Sequence, residues 1–243
     1  MQTRSKNNSP DTLEVHQFKS NFFIGNNNTF KLFNPKSYSK RDIKSNNINI
    51  IHFERPPVII PKSLFKKDNL KKYVSTNYKL SKASNIAYDE TNNKLIYIVY
   101  ERQNILESLF NKENLEFRSI NYFTTLYEYL LPLKKKDDLS IYINLRANLF
   151  DLIIFKKNEF FYFNTFNKNN KEEFLYYLLY VLKNFEADIN TSKIVFLGKF
   201  EEFEDYYEYA RSYAEVIFEK NKSETKNTIK HESPFFLNSL VWK

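Results

Sequence analysis

The chain has 243 residues, of which 42% are hydrophobic and 18% aromatic, enough apolar surface for one sizeable core or two small ones. It has no cysteine, which removes disulfides, thiolate nucleophiles and cysteine-ligated metal sites together, and only two glycines, Gly25 and Gly198, which leaves few means for glycine-built phosphate cradles or dinucleotide turns. The formal charge is +8, and residues 1–80 carry 15 basic and 5 acidic side chains against 22 and 24 in 81–243, so a partner held by charge belongs to the first third.

Residues 1–12 are polar and read as a disordered N-terminus. Leu13 to Phe18 alternates as a strand, and Gly25-Asn26-Asn27-Asn28 reads as a turn between the apolar Phe22-Phe23-Ile24 and Phe30 to Phe33, so residues 13–33 form a meander of short strands. After a polar connection over 34–47, Ile48 to Phe53 is a strand, Arg55-Pro56-Pro57 a breaker and Val58-Ile59-Ile60-Pro61 a second apolar run. Lys66 to Tyr73 suits a short helix. Ser84 to Tyr88 and Leu95 to Tyr100 flank a turn and make a hairpin; helix Arg102 to Phe110, strand Leu115 to Ile120 and helix Tyr122 to Leu131, stopped by Pro132, follow.

The charged run Lys134-Lys135-Lys136-Asp137-Asp138 is the linker candidate, dividing a first half, 13–133, from a second, 139–243. The second half opens with three strands, 139–145, 149–155 and 160–163. Helix 171–185 has a stripe at Phe174, Leu175, Leu178, Leu179 and Leu182; strand 193–197, acidic helix 200–213 and strand 214–218 complete a βββαβαβ order. The first half can be written similarly, which suggests a duplicated fold. Residues 221–234 read as a polar mobile segment, and Phe235-Phe236-Leu237 with Leu240-Val241-Trp242 as an apolar tail that docks back on the body.

His16, His52 and His231 lie in different segments, none with a second ligand at metal-like spacing, and read as structural or surface residues; no metal site and no cofactor are expected. The carboxylates of Glu201 to Glu208 fit a solvated helix face better than paired acid–base groups. Tyr176, Tyr177 and Tyr180, at helical spacing, read as core and rim rather than a recognition platform. Lys62, Lys66, Lys67, Lys71 and Lys72 form the densest basic cluster, interleaved with Phe65, Tyr73 and Tyr78 as in single-stranded nucleic-acid grooves, although codon bias in an A/T-rich genome supplies lysine without any such role.

Phe161-Tyr162-Phe163-Asn164-Thr165-Phe166, the helix centre Tyr176-Tyr177-Leu178-Leu179, the strand Ile194-Val195-Phe196-Leu197-Gly198 and the upstream Val58-Ile59-Ile60-Pro61-Lys62-Ser63-Leu64-Phe65 resemble the DUF3822 family of uncharacterised bacterial proteins over about residues 48–218. Asn164, Phe166, Tyr176, Tyr177 and Gly198 are the family-resembling positions, read as structural. The resemblance implies an α/β fold with mixed sheets, of actin-like or ribonuclease H-like type, in two βββαβαβ halves. It also implies that phosphates, where such folds bind them, lie at a hairpin turn in each half. Here the second such turn, Leu145 to Leu149, has neither the usual aspartate nor a glycine.

The expectation is therefore a non-catalytic, nucleotide-free scaffold or adaptor, binding a protein partner in the bacterial cytoplasm without a membrane span. The alternatives are an RNA- or ribosome-associated factor using the basic first third, and an atypical ATP-binding protein.

Overall fold

In a computed structural model, residues 12–26, 29–37, 43, 45, 47–82, 84–133, 139–187, 192–219 and 230–237 are described. All of the expected disordered N-terminus but Thr12, the linker 134–138, Asn27-Asn28, most of the polar segment 221–234 and Leu240-Val241-Trp242 lie outside these residues. Two compact units divide the chain, 1–126 and 127–243.

The first unit holds β1 (Leu13–Gln17), β2 (Phe22–Asn26), β3 (Thr29–Leu32), β4 (Ile48–His52) and β8 (Phe117–Asn121) in one sheet of order β3-β2-β1-β4-β8. β1 to β3 pair antiparallel, while β1, β4 and β8 run parallel. Strands in the parallel part are covered on both faces and lose their alternation. Thus Val15, Ile48, Ile50, Leu106 and Phe110 form one core on the side of α2 (Ile105–Lys112), and His16, Gln17 and His52 are equally buried elsewhere.

Between β4 and β8 the chain inserts a separate antiparallel sheet of order β5-β7-β6, made of β5 (Val58–Pro61), β6 (Asn85–Glu90) and β7 (Ile96–Arg102), packed on the short helix α1 (Leu70–Ser75). This insertion separates the first unit from a plain βββαβαβ order. α3 (Tyr122–Leu130) follows β8 directly, and the division between the units falls within it.

The second unit has the expected order: β9 (Leu139–Leu145), β10 (Leu149–Lys156), β11 (Glu159–Asn167), α4 (Lys171–Asn184), β12 (Lys193–Leu197), α5 (Glu204–Arg211) and β13 (Glu215–Glu219). Its sheet, β11-β10-β9-β12-β13, repeats the strand order and the antiparallel-then-parallel pairing of the first. The fold is a duplicated mixed α/β architecture. α4 starts where Asn170 accepts the Glu173 N–H at 2.7 Å and Glu173 accepts the Asn169 N–H at 2.9 Å, with two carboxylates in the first turn to oppose the helix dipole. It buries Phe174, Leu175, Leu178, Val181 and Leu182 against β9, β10 and β12.

The two-residue hairpin turn between β10 and β11 puts Lys157 and Asn158 at φ 50° and 67°, the doubly left-handed geometry that suits Asn-Gly. A non-glycine residue there costs about 1–2 kcal/mol. The double substitution Lys157→Asn and Asn158→Gly is expected to stabilise the second unit by about 1 kcal/mol, read as a higher urea midpoint at unchanged m value.

Candidate functional site

In open α/β sheets, ligands collect beyond the C-terminal ends of parallel strands. In the first unit β1, β4 and β8 end in register: Gln17 faces His52 and His52 faces Asn121. Each strand ends on a polar residue followed by an aromatic one: Gln17-Phe18, His52-Phe53, Asn121-Tyr122. Phe53 stacks on Phe18 at 4.4 Å and on Tyr122 at 5.2 Å, a wholly buried aromatic stack. The three polar residues are at most 1% exposed.

The polar groups at these strand ends are wired to one another. Gln17 Nε2 donates to Glu54 Oε1 at 2.5 Å and to the Gln103 carbonyl at 3.1 Å. The His52 ring lies between two carboxylates, with Nδ1 at 3.2 Å from Glu54 and Nε2 at 3.7 Å from Glu107, and Ser119 Oγ at 3.3 Å. Ser119 also donates to Glu107, and Arg102 pairs with Glu107 at 2.8 Å. Burial opposes a charge on His52, but the Glu107 and Glu54 carboxylates overcome it and raise its pKa. His16 shows the reverse balance. It too has a carboxylate, Glu14 at 3.2 Å, yet it is completely enclosed, with Phe30 at 4.6 Å and Phe53 at 5.5 Å, and burial lowers its pKa to about 3. The imidazole is neutral and its Nε2–H donates to Glu14.

A second buried group links the inserted sheet to β8 and α3. Asp89 of β6 accepts from the Asn121 N–H at 2.8 Å, Thr124 Oγ1 at 2.6 Å and the Tyr100 hydroxyl at 3.2 Å, while desolvation raises its pKa. None of these partners was legible as a site. His16, His52 and Asp89 are separated by long stretches of sequence, and only the strand pairing assembles them.

In the second unit the β9–β10 turn, Arg146-Ala147-Asn148, is closed by the chain itself. The Ala147 N–H donates to the Glu232 carbonyl at 2.8 Å, and Lys168 Nζ donates to the Ala147 carbonyl at 2.8 Å. Lys168 is 5% exposed, held over the rings of Tyr206 at 4.3 Å and Phe203 at 4.6 Å, and burial lowers its pKa to about 8. Beneath the turn a cross-strand row runs through all three antiparallel strands: Asp151 accepts from Asn144 Nδ2 at 2.9 Å and Thr165 Oγ1 at 2.6 Å. An aspartate inside Leu149-Phe150-Asp151-Leu152-Ile153-Ile154 was the signal for it. His231 is buried, its Nδ1 lying 2.7 Å from the Ser233 carbonyl oxygen and 3.0 Å from the Ser233 nitrogen; Phe235, Phe236 and Leu237 are buried as well.

The residues singled out from sequence are not gathered together. Lys62, Lys66, Lys67, Lys71 and Lys72 are all exposed around α1 in the first unit. The interleaved aromatics are half-buried beneath them: Phe65 stacks on Tyr97 at 3.8 Å, and the Tyr73 hydroxyl donates to the Leu64 carbonyl. Asn164 is exposed on β11, its Oδ1 accepting the Thr165 N–H at 2.9 Å, and Phe166 stacks between Phe150 and Tyr177. Gly198 ends β12 at φ 80°, the left-handed geometry that glycine favours. All three histidines are core residues, and among the described residues no group of three histidine, cysteine or acidic side chains is placed to hold a metal.

The tyrosines of α4 differ in exposure. Tyr177 packs on Phe166, whereas Tyr176, edge-on to Tyr177 at 5.4 Å, and Tyr180 are 60% and 55% exposed and stack on each other at 6.1 Å, an exposed aromatic pair on the outer side of the helix. Beside α4, β11 is the marginal strand of its sheet, nine residues with a pattern of Phe and Tyr and no strand on its outer edge among the described residues.

The family described as "Protein of unknown function (DUF3822)" matches residues 31–217. No curated protein matches the chain. The fold is similar to the crystal structure of a Bacteroides thetaiotaomicron protein with actin-like ATPase fold and unknown function, with a TM-score of 0.74 at 17% identity over 86% of this chain and 91% of that one. It is also similar to the PilM–PilN type IV pilus biogenesis complex, with a TM-score of 0.54 at 9% identity over 95% and 97% of the respective chains. The architecture is that of the actin-like ATPase fold. No helix among the described residues is long and apolar enough to cross a membrane.

Proposed function

We propose that this chain, which belongs to the DUF3822 family, is a non-catalytic adaptor that binds a protein partner through the outer face of its second unit. The observation that carries the reading is the exposed Tyr176–Tyr180 pair on α4. Tyrosine supplies large contact area at low entropic cost and is enriched among the residues that dominate interface energies. Among the described residues β11 is the marginal strand of its sheet, the position at which an incoming strand adds. A protein of the same fold, solved as the PilM–PilN complex, is held by a second protein. The non-catalytic part is supported by the β9–β10 turn. The resemblance places a phosphate contact there, and here the Ala147 N–H already donates to the chain's own Glu232 carbonyl.

The test is quantitative affinity capture from the native cell with the full chain and with Tyr176→Ala/Tyr180→Ala. The expected result is a protein held in stoichiometric amount and reduced at least about tenfold by the double substitution. Equal recovery by both chains removes the reading. So does hydrolysis of Mg-ATP by the purified protein, which would assign it to the enzymes. Recovery of RNA in place of protein, released steeply by salt and lost on neutralising Lys66, Lys67, Lys71 and Lys72, would assign the partner to the exposed basic cluster instead.

A further inference from the structure

The inserted sheet β5-β7-β6 displays two leucines at one end. β5 finishes at Pro61, opposite Ile96 where β7 begins, so the single turn Lys62–Leu64 after β5 lies beside the turn that leads into β7. The Lys62 N–H joins the two turns by donating to the Leu95 carbonyl at 2.9 Å. Leu64 and Leu95 are 65% and 61% exposed. Both stand on fixed backbone. The Tyr73 hydroxyl donates to the Leu64 carbonyl at 2.7 Å and accepts the Lys66 N–H at 2.9 Å, with the intervening Phe65 stacked on Tyr97 and Leu64 left outside. In the other turn the Asn93 side chain accepts the Leu95 N–H at 3.1 Å, and Lys94 adopts a φ of 55°.

Exposed lysines surround the pair. Lys62, Lys66, Lys67 and Lys94 flank the two turns, Lys71 and Lys72 stand on the adjoining α1, and Asp68 and Glu90 are exposed beside them. Glu90 accepts from the Tyr97 hydroxyl at 2.9 Å. Positive charge in this excess selects an anionic partner, and the side chains at the centre select its class. Single-stranded nucleic acid is held by exposed rings on which bases stack. Here Phe65 is packed on Tyr97 and Tyr88, at 3.8 and 5.1 Å between ring centroids, and Tyr73 is engaged through its hydroxyl. What stands exposed at the centre is aliphatic. Aliphatic side chains ringed by lysines suit the boundary between acyl chains and anionic headgroups, where lysine stems lie along the apolar layer and their ammonium groups reach the phosphates. We propose that this end of the inserted sheet docks peripherally on an anionic lipid bilayer, with Leu64 and Leu95 entering the headgroup boundary. The patch belongs to the first unit and does not depend on the adaptor reading of the second.

The experiment is co-sedimentation of the full chain with phosphatidylcholine vesicles that contain roughly a third phosphatidylserine, against vesicles of phosphatidylcholine alone. The expected result is binding to the anionic vesicles at least about tenfold tighter than to the neutral ones. Lys62→Gln/Lys66→Gln/Lys67→Gln should weaken it about a hundredfold, at about fivefold for each lysine at the surface. Neutralising the exposed Lys112, Lys157 and Lys183 in their place should leave it nearly unchanged. Leu64→Ser/Leu95→Ser, which keeps every charge and alters only exposed side chains, should weaken it about tenfold or more. The comparison of the two vesicle compositions keeps the test on the unaltered chain should a variant fail to fold. Equal or absent binding to the two compositions overturns the proposal, as does a Leu64→Ser/Leu95→Ser chain that binds as tightly or an equal loss on neutralising the three distant lysines. A single-stranded RNA held more tightly than the anionic vesicles, with the leucine substitutions without effect, overturns it in favour of nucleic acid.

Discussion

Acidification from pH 6.5 to about pH 4 is expected to cost the first unit about 3 kcal/mol through one residue, His16. Its folded pKa, lowered to about 3 by burial, lies below the ordinary 6.5. Between those values the unfolded chain takes up a proton that the folded chain refuses, so stability rises with pH and falls on acidification by about 1.4 kcal/mol per unit. Glu107, whose pKa is lowered by His52, Ser119 and Arg102 against the cost of its burial, adds to the loss below about 4.5, while Asp89, raised by burial, partly offsets it. His52 sets the other limb. Its raised pKa means that its pairing with Glu54 and Glu107 contributes fully below 6.5 and is lost as pH rises through the folded value. The first unit is therefore most stable near pH 6.5. Amide exchange of β1 and β4, read by mass spectrometry across pH, isolates this unit from the other. His16→Gln keeps a donor for Glu14 and removes the titration, so it flattens the acid limb whatever its own stability. The same acid slope in both chains would place the proton elsewhere.

That two histidines on neighbouring strands titrate in opposite senses is a consequence of pairing the sequence does not display. Periodicity locates β1 and β4 because their apolar runs are long enough, but not the parallel register that sets Gln17, His52 and Asn121 side by side. Glu107 and Ser119, which complete the His52 surroundings, arrive from α2 and β8 only after the inserted sheet has intervened. The second unit is more legible because its elements follow one another in space as in sequence, and its meander needs no crossover. The orientation of the α4 tyrosines is also written in the periodicity. With Phe174, Leu175, Leu178, Val181 and Leu182 facing the sheet, a period of 3.6 residues turns Tyr176 and Tyr180 outward and leaves Tyr177 at the border.

The scarcity of glycine carries less weight about ligands than composition suggests, and more about packing. Left-handed backbone is not out of reach of this chain: Lys94, Asn114, Lys157, Asn158 and Glu186 all adopt positive φ. What only a glycine can do is done at Gly25 in β2, where a Cβ would lie 2.3 Å from the Thr29 carbonyl oxygen and 2.8 Å from Phe30 Cα. Both are backbone atoms of β3, paired with β2 in a register that sets Gly25 opposite Phe30, so no side-chain rotation relieves the overlap. Gly25→Ala must push β3 away from β2, and with it the buried Phe30 ring that lies 4.6 Å from His16. The expected cost is about 3 kcal/mol, the upper end for overpacking because the obstructing atoms are backbone. Gly198→Ala, at a left-handed φ, should cost about 1–2 kcal/mol for that backbone conformation. Urea unfolding of the two variants separates the cases. A Gly25→Ala chain as stable as the unaltered one would mean that β2 and β3 are held less closely than their register requires.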